Sequence, residues 1–168
     1  MKELNFSEAM GQIQEKLQNG GVFLTVAGEP ANTMTIAWAT MGFSWNKPIF
    51  VCLVRPQRHT YPLLVSSGEF TISVPTKEPL RKELAFAGSK SGRDCDKFTG
   101  HGLTARPALA VSAPIVAECG LHLECRVRLA QDMTGERMDP AVVQMGYPAG
   151  DFHTMFWGEI VKCYTTDE

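Results

Sequence analysis

From Cys119 to Leu129 every second residue is apolar, and this alternation constrains the fold more than any other stretch of the chain. Strand side chains alternate between faces. Cys119, Leu121, Leu123, Cys125, Val127 and Leu129 are therefore expected to face a core, and His122, Glu124, Arg126 and Arg128 to face outward. The same stretch contains Cys119-x-x-His122-x-x-Cys125, a spacing that invites a metal. The period of two argues against it. His122 would point away from both thiols, and the two cysteines would lie roughly 20 Å apart along an extended strand. No metal site is expected.

Further strands are expected at 22–27, 33–41, 49–54, 70–74, 115–117, 121–130, 142–145 and 153–164. The 49–54 run is apolar on both faces, which marks a buried central strand. Phe6, Met10, Ile13 and Leu17 form one helical stripe, with Asn5 and Glu8 spaced as a capping box and Asn19-Gly20-Gly21 as the stop. Short helices are expected at 61–67, capped by Thr60, and after Thr76 through Leu80, Leu84 and Ala87 to a stop at Gly88. Residues 92–98 read as a further helical turn. Many strands, short turns and few helices predict a mainly β domain over residues 1–168, an antiparallel sheet closed as a barrel or folded as a sandwich. No Gly-x-Gly-x-x-Gly follows a strand, so a nicotinamide-binding doubly wound sheet is excluded.

Composition narrows the partners. A net charge of −2 gives no reason to expect nucleic acid or an anionic membrane surface. Five cysteines without a Cys-x-x-Cys pair predict reduced thiols. The start Met1-Lys2-Glu3-Leu4-Asn5 lacks a signal-peptide core, and no apolar run reaches membrane-helix length. A cytoplasmic protein is expected.

Candidate chemistry gathers in three places. In the strand at 33–41, Met34, Ile36 and Trp38 share one face, while Thr33, Thr35, Ala37 and Ala39 leave the other almost without bulk. A flat ligand, or a closely packed second strand, would suit that face. After the central strand, Arg55, Arg58 and Thr60 stand before a helix N-terminus, where free N–H groups and the helix dipole favour an anion. Ser89, Lys90, Ser91, Gly92, Arg93 and Lys97 form a second cationic stretch suited either to a phosphate or to internal pairing with Asp94 and Asp96. Together these features describe a planar ring with a phosphate tail.

The order of the motifs resembles the flavin reductase-like family, and its flavoredoxin-like branch in particular. The matching pieces are Asn-x-Met-Thr-Ile-Ala-Trp at 32–38, Lys47-Pro48, the stretch from Arg55 to Thr60-Tyr61, Ser-Gly-Glu-Phe at 67–70, Ser-Gly-Arg-Asp-x-Asp-Lys-Phe at 91–98, Leu-Glu-Cys-Arg-Val at 123–127 and His-Thr-x-Phe-x-Gly-Glu at 153–159. The resemblance implies an FMN-binding split barrel. It implies that Thr33, Met34, Thr35, Ile36, Ala37 and Trp38 border the isoalloxazine ring. Arg55, Thr60, Tyr61, Ser91, Arg93 and Lys97 would hold the phosphate, and His153 would be the catalytic candidate. Where the family has Gly-Asp-His, this chain has Gly150-Asp151-Phe152-His153, one residue longer.

Two functions follow from the resemblance. One is an NAD(P)H-dependent flavin oxidoreductase; the other is an electron carrier that keeps FMN and serves a redox partner protein. In either the family pattern implies a homodimer. A third reading, a non-redox binding module, rests on Phe152 obstructing the ring.

Overall fold

The computed structural model describes residues 1–166. Its strands are β1 (Lys2–Glu3), β2 (Val22–Val26), β3 (Asn32–Ile36), β4 (Ala39–Ser44), β5 (Lys47–Val54), β6 (Glu69–Val74), β7 (Ala105–Arg106), β8 (Ile115–Val116), β9 (Leu121–Asp132) and β10 (Thr154–Thr165). The helices are α1 (Phe6–Gln18), α2 (Thr60–Ser67), α3 (Arg81–Ser89) and α4 (Pro140–Gly146). An antiparallel sheet of eight strands runs β3-β2-β6-β9-β10-β5-β4, with β1 added to β10. The path does not close between β3 and β4, which leaves the barrel split as expected.

The capping box forms: the Asn5 side chain accepts from Ser7 N–H at 2.9 Å, and the Asn5 N–H donates to Glu8 at 3.3 Å. Ala9, Ile13 and Leu17 are the buried face of α1, whereas Phe6 and Met10 are only half-buried. The central strand β5 contributes Phe50, Cys52 and Val54 to the main core, opposite Leu24, Phe70, Ile72 and Leu123.

Several sequence expectations are corrected. The strand expected at 33–41 is two strands. Ile36 pairs with Val22 while Ala39 pairs with Cys52, so the chain crosses between the two edges of the sheet and Ala37 and Trp38 lie in the crossing. Trp38 is consequently 47% exposed and not in the core with Met34 and Ile36. Residues 142–145 are helical within α4, whose start is fixed by Asp139 accepting from Ala141 N–H at 2.8 Å and by Pro140 in the first turn. Thr60 does not cap α2; His59 is the N-cap and Thr60 is buried. Helix α3 begins after Leu80 and runs one residue past Gly88, and 92–98 is a series of turns.

His122 and Glu124 are buried rather than outward-facing. The segment carrying β7 and β8 folds over that end of β9 and builds a second core from Phe23, Leu84, Ala87, Leu103, Val116 and Cys119. Glu124 accepts the N–H groups of Leu109 and Ala110 at 2.7 and 2.6 Å and the Tyr164 hydroxyl at 2.9 Å. A carboxylate with three donors tolerates burial that an unpaired one would not.

Candidate functional site

A groove of about 580 Å³ opens where β3, the end of β5, the approach to α2, the end of α3 and the 91–97 loop converge. Its framework is hydrogen-bonded. Asn32 Nδ2 donates to Thr60 Oγ1 at 2.8 Å, tying β3 to α2. Thr35 Oγ1 donates to the Leu84 carbonyl at 2.6 Å, tying β3 to α3. Gly92 brings the 91–97 loop against Asn32 and the His59 ring so closely that a Cβ at position 92 would sit 2.6 Å from His59 Cδ2.

One wall is cationic. Arg58 Nη1 donates to the Gly88 carbonyl at 3.3 Å, and Arg93 Nη1 donates to the Gln57 carbonyl at 3.1 Å. These bonds hold both guanidinium groups near Ser89, Lys90 and Ser91, which line the same groove. Burial lowers the His59 pKa, and the charges of Arg93 and Lys97 lower it further. Lys97 is 3% exposed, and its ammonium donates to the carbonyls of Thr33 and Ala87 at 2.8 Å each. Burial pulls its pKa down to about 8, with Cys95 opposing and Arg58 adding to the shift. Lys97 therefore braces the wall from beneath.

The other wall is aromatic. The Trp38 ring lies 5.5 Å from His153 and 6.3 Å from Tyr147. Arg55 belongs to this cluster: it pairs with Asp151, donates to the Gly146 carbonyl at 3.0 Å, and turns its Nε–H toward His153 Nε2 at 3.4 Å. The pKa of His153 is lowered to about 4 by burial first and by Arg55 next, against the opposing charge of Asp151.

The structure thus brings together in one groove Met34, Thr35, Ile36, Ala37, Trp38, Arg55, Thr60, Ser91, Arg93, Lys97 and His153. Two expected residues lie elsewhere. Thr33 is fully buried, its hydroxyl accepting from Thr25 at 2.9 Å and donating to the Leu24 carbonyl at 3.3 Å. Tyr61 packs on Phe156 at 5.7 Å and lines a separate cavity. Arg55 was expected with Arg93, but its guanidinium sits in the Trp38–His153 cluster because Asp151 and Gly146 claim it. Phe152 turns away from the groove, 4.8 Å from the Tyr147 ring, so the feature behind a non-redox reading is not an obstruction.

Sequence reasoning assigned no site role to Asn32, Leu53, Ala87 and His59, which line the groove, whereas Arg58 and Lys90 were already read as part of the two cationic segments. For His59 the signal was present in the basic turn before α2; for Leu53 and Ala87 only the tertiary fold reveals it. Among the described residues no cluster of three or more His, Cys, Asp or Glu gathers for a metal, and no helix is long and apolar enough to cross a membrane.

Comparison with known proteins gives this geometry a context. Residues 16–168 match the flavin reductase like domain. The chain is 32% identical over 140 residues to an uncharacterized protein of Archaeoglobus fulgidus, covering 83% of this chain and 68% of that one. Among solved structures it resembles the flavoredoxin of Desulfovibrio vulgaris (Miyazaki F), with 27% identity and a TM-score of 0.68 over 88% of this chain and 69% of that one. An NADH:FAD oxidoreductase of Streptomyces globisporus C-1027 shares the fold, with 20% identity and a TM-score of 0.65 over 98% of this chain and 86% of that one.

Proposed function

The chain belongs to the flavin reductase-like domain family, and on that premise we propose that its groove takes up FMN and that the protein is an NAD(P)H-dependent flavin oxidoreductase. The observation that carries the reading is the polarity of a single groove, with Arg58, Arg93, Ser89 and Ser91 along one wall and Ala37, Trp38 and His153 along the other. This donor set fits a phosphate beside a planar ring. When bound, FMN supplies a centre that takes up two electrons from a donor and passes them on.

The chain's own residues position that group. Arg58 and Arg93 each spend one amino group on a backbone carbonyl, which fixes the forks and leaves further N–H donors for a phosphate. The N-terminus of α2 adds its dipole on the same side. Ala37 and Trp38 fall outside both strand ladders, so the crossing presents a small side chain, an aromatic face and backbone amides toward a ring. Met34, Ile36 and Leu53 exclude water beneath it.

A second reading, a carrier that keeps FMN and passes electrons to a partner protein, is favoured by the likeness to flavoredoxin. Anaerobic titration of the FMN-loaded protein with NADH and then NADPH separates the two. Rapid bleaching of the flavin band supports the reductase and names its donor. Colour that only dithionite removes supports the carrier. Failure to take up FMN overturns both.

The reading takes residues 1–168 as one domain of a cytoplasmic homodimer. Supporting the dimer, Phe43 is 70% and Trp45 57% exposed, and the neighbouring Trp157 Nε1–H is buried without an acceptor among the described residues. Light scattering tests it: a flavin-loaded monomer would reject the assembly.

A further inference from the structure

Between β9 and β10 the chain leaves the sheet at Met133 and returns at His153, and the Met133 N–H donates to the His153 carbonyl at 3.0 Å to close the neck. Tyr147, 3% exposed, sits at the C-terminal end of α4 within this excursion. Its hydroxyl lies 2.8 Å from His153 Nδ1 and 3.7 Å from Met133 Sδ. On the far side of the imidazole, Arg55 Nε–H faces His153 Nε2 at 3.4 Å.

Arg55 cannot accept a hydrogen bond. Its N–H therefore requires a lone pair on Nε2, which places the single proton of a neutral imidazole on Nδ1. The Tyr147 oxygen then accepts from Nδ1–H while its own hydrogen points to Met133, so every donor has an acceptor. The opposite tautomer would set two N–H groups against each other at Nε2.

We propose that Tyr147 is a positioning residue that, with Arg55, holds His153 as a neutral imidazole protonated on Nδ1, its Nε2 lone pair engaged by Arg55 beside the groove. The proposal deepens the flavin reading, on which the relevance of His153 to a bound ring rests. His153 would act at that wall as an acceptor that orients Arg55, and a proton donated through Nε2 would have to come from a different arrangement. The low His153 pKa agrees with this, since a second proton would put Nε2–H against the Arg55 cation. The charged and titratable groups around the ring are Arg55 after β5, Arg58 before α2, Asp132 at the end of β9, Asp151 in the same loop, and Tyr147.

Two-bond ¹H–¹⁵N correlation spectra of the full chain without added flavin test the assignment, so failure to bind FMN would not disturb the readout. The expected wild-type result is a single His153 tautomer with protonated Nδ1 and an acceptor-type Nε2 at neutral pH. Tyr147→Phe strands Nδ1–H without its acceptor and should shift the Nδ1 signal, while Arg55 keeps the lone pair on Nε2. Arg55→Met, which removes the donor at Nε2, should raise the His153 pKa, and it serves if Tyr147→Phe does not fold. A wild-type Nε2–H tautomer, a charged His153 at neutral pH, or unchanged spectra in a folded variant would overturn the proposal.

Discussion

Asn32 and Thr60 are 28 residues apart and joined by one buried hydrogen bond, Asn32 Nδ2 to Thr60 Oγ1 at 2.8 Å. That bond sets the distance between β3 and the first turn of α2, and Gly92 rests against the same asparagine. The cationic wall of the groove therefore depends on a neutral pair behind it.

Thr60→Val keeps the shape and leaves the Asn32 amide without its acceptor. A buried donor stranded in this way costs about 1–3 kcal/mol. Urea denaturation should show that loss, and FMN affinity should fall with it as the α2 start drifts from β3.

Arg58→Ala with Arg93→Ala removes the two fixed guanidinium groups. Charge-assisted contacts are worth about 1.5–3 kcal/mol each, so FMN binding should weaken about a hundredfold or more. Riboflavin, which lacks the phosphate, should bind the variant and the wild type alike in fluorescence titration. Equal losses for both ligands would place the phosphate elsewhere.

Trp38→Ala tests the opposite wall. Loss of an aromatic face is worth about 0.5–1.5 kcal/mol beyond the area it buries. FMN and riboflavin should weaken by similar factors in the same titration, the reverse of the pattern expected from the arginines.

The pH dependence of stability carries a mark of His153. Its pKa is about 4 in the folded chain against an ordinary 6.5. As pH falls from 6.5 toward 4, the unfolded chain takes up a proton that the folded chain refuses, so stability drops across that window. Above it both states are neutral and the contribution is flat. His153→Gln should therefore lose less stability than the wild type between pH 7 and about pH 5, read as the shift in urea midpoint. Parallel curves would show that His153 ionises alike in both states.

Much of the scaffold is legible in the chain because its signals are local. The alternation in β9, the apolar run of β5 and the Asn5–Glu8 cap each follow from neighbours along the sequence. The errors fall where a distant segment intervenes. His122 and Glu124 read as outward because nothing near them in sequence announces the 103–118 cover that buries them. The helix at α4 was the exception: its Asp139-Pro140 start is a local signal, overlooked in favour of a short apolar run.

The sequence by itself determined an antiparallel sheet, a small-residue stretch ending at Trp38, and two cationic loops that follow it. Strand period and helix caps act over a few residues, so the chain displays them without help. Only the tertiary structure decided what each polar group does. It broke the strand at Ala37–Trp38 by pairing its halves with opposite sheet edges, and it turned Lys97 inward to two carbonyls. It also drew Arg55 away from the cationic wall to Asp151 and His153. A side chain's hydrogen-bond partners are chosen among groups tens of residues away, and that choice is made by packing rather than by pattern.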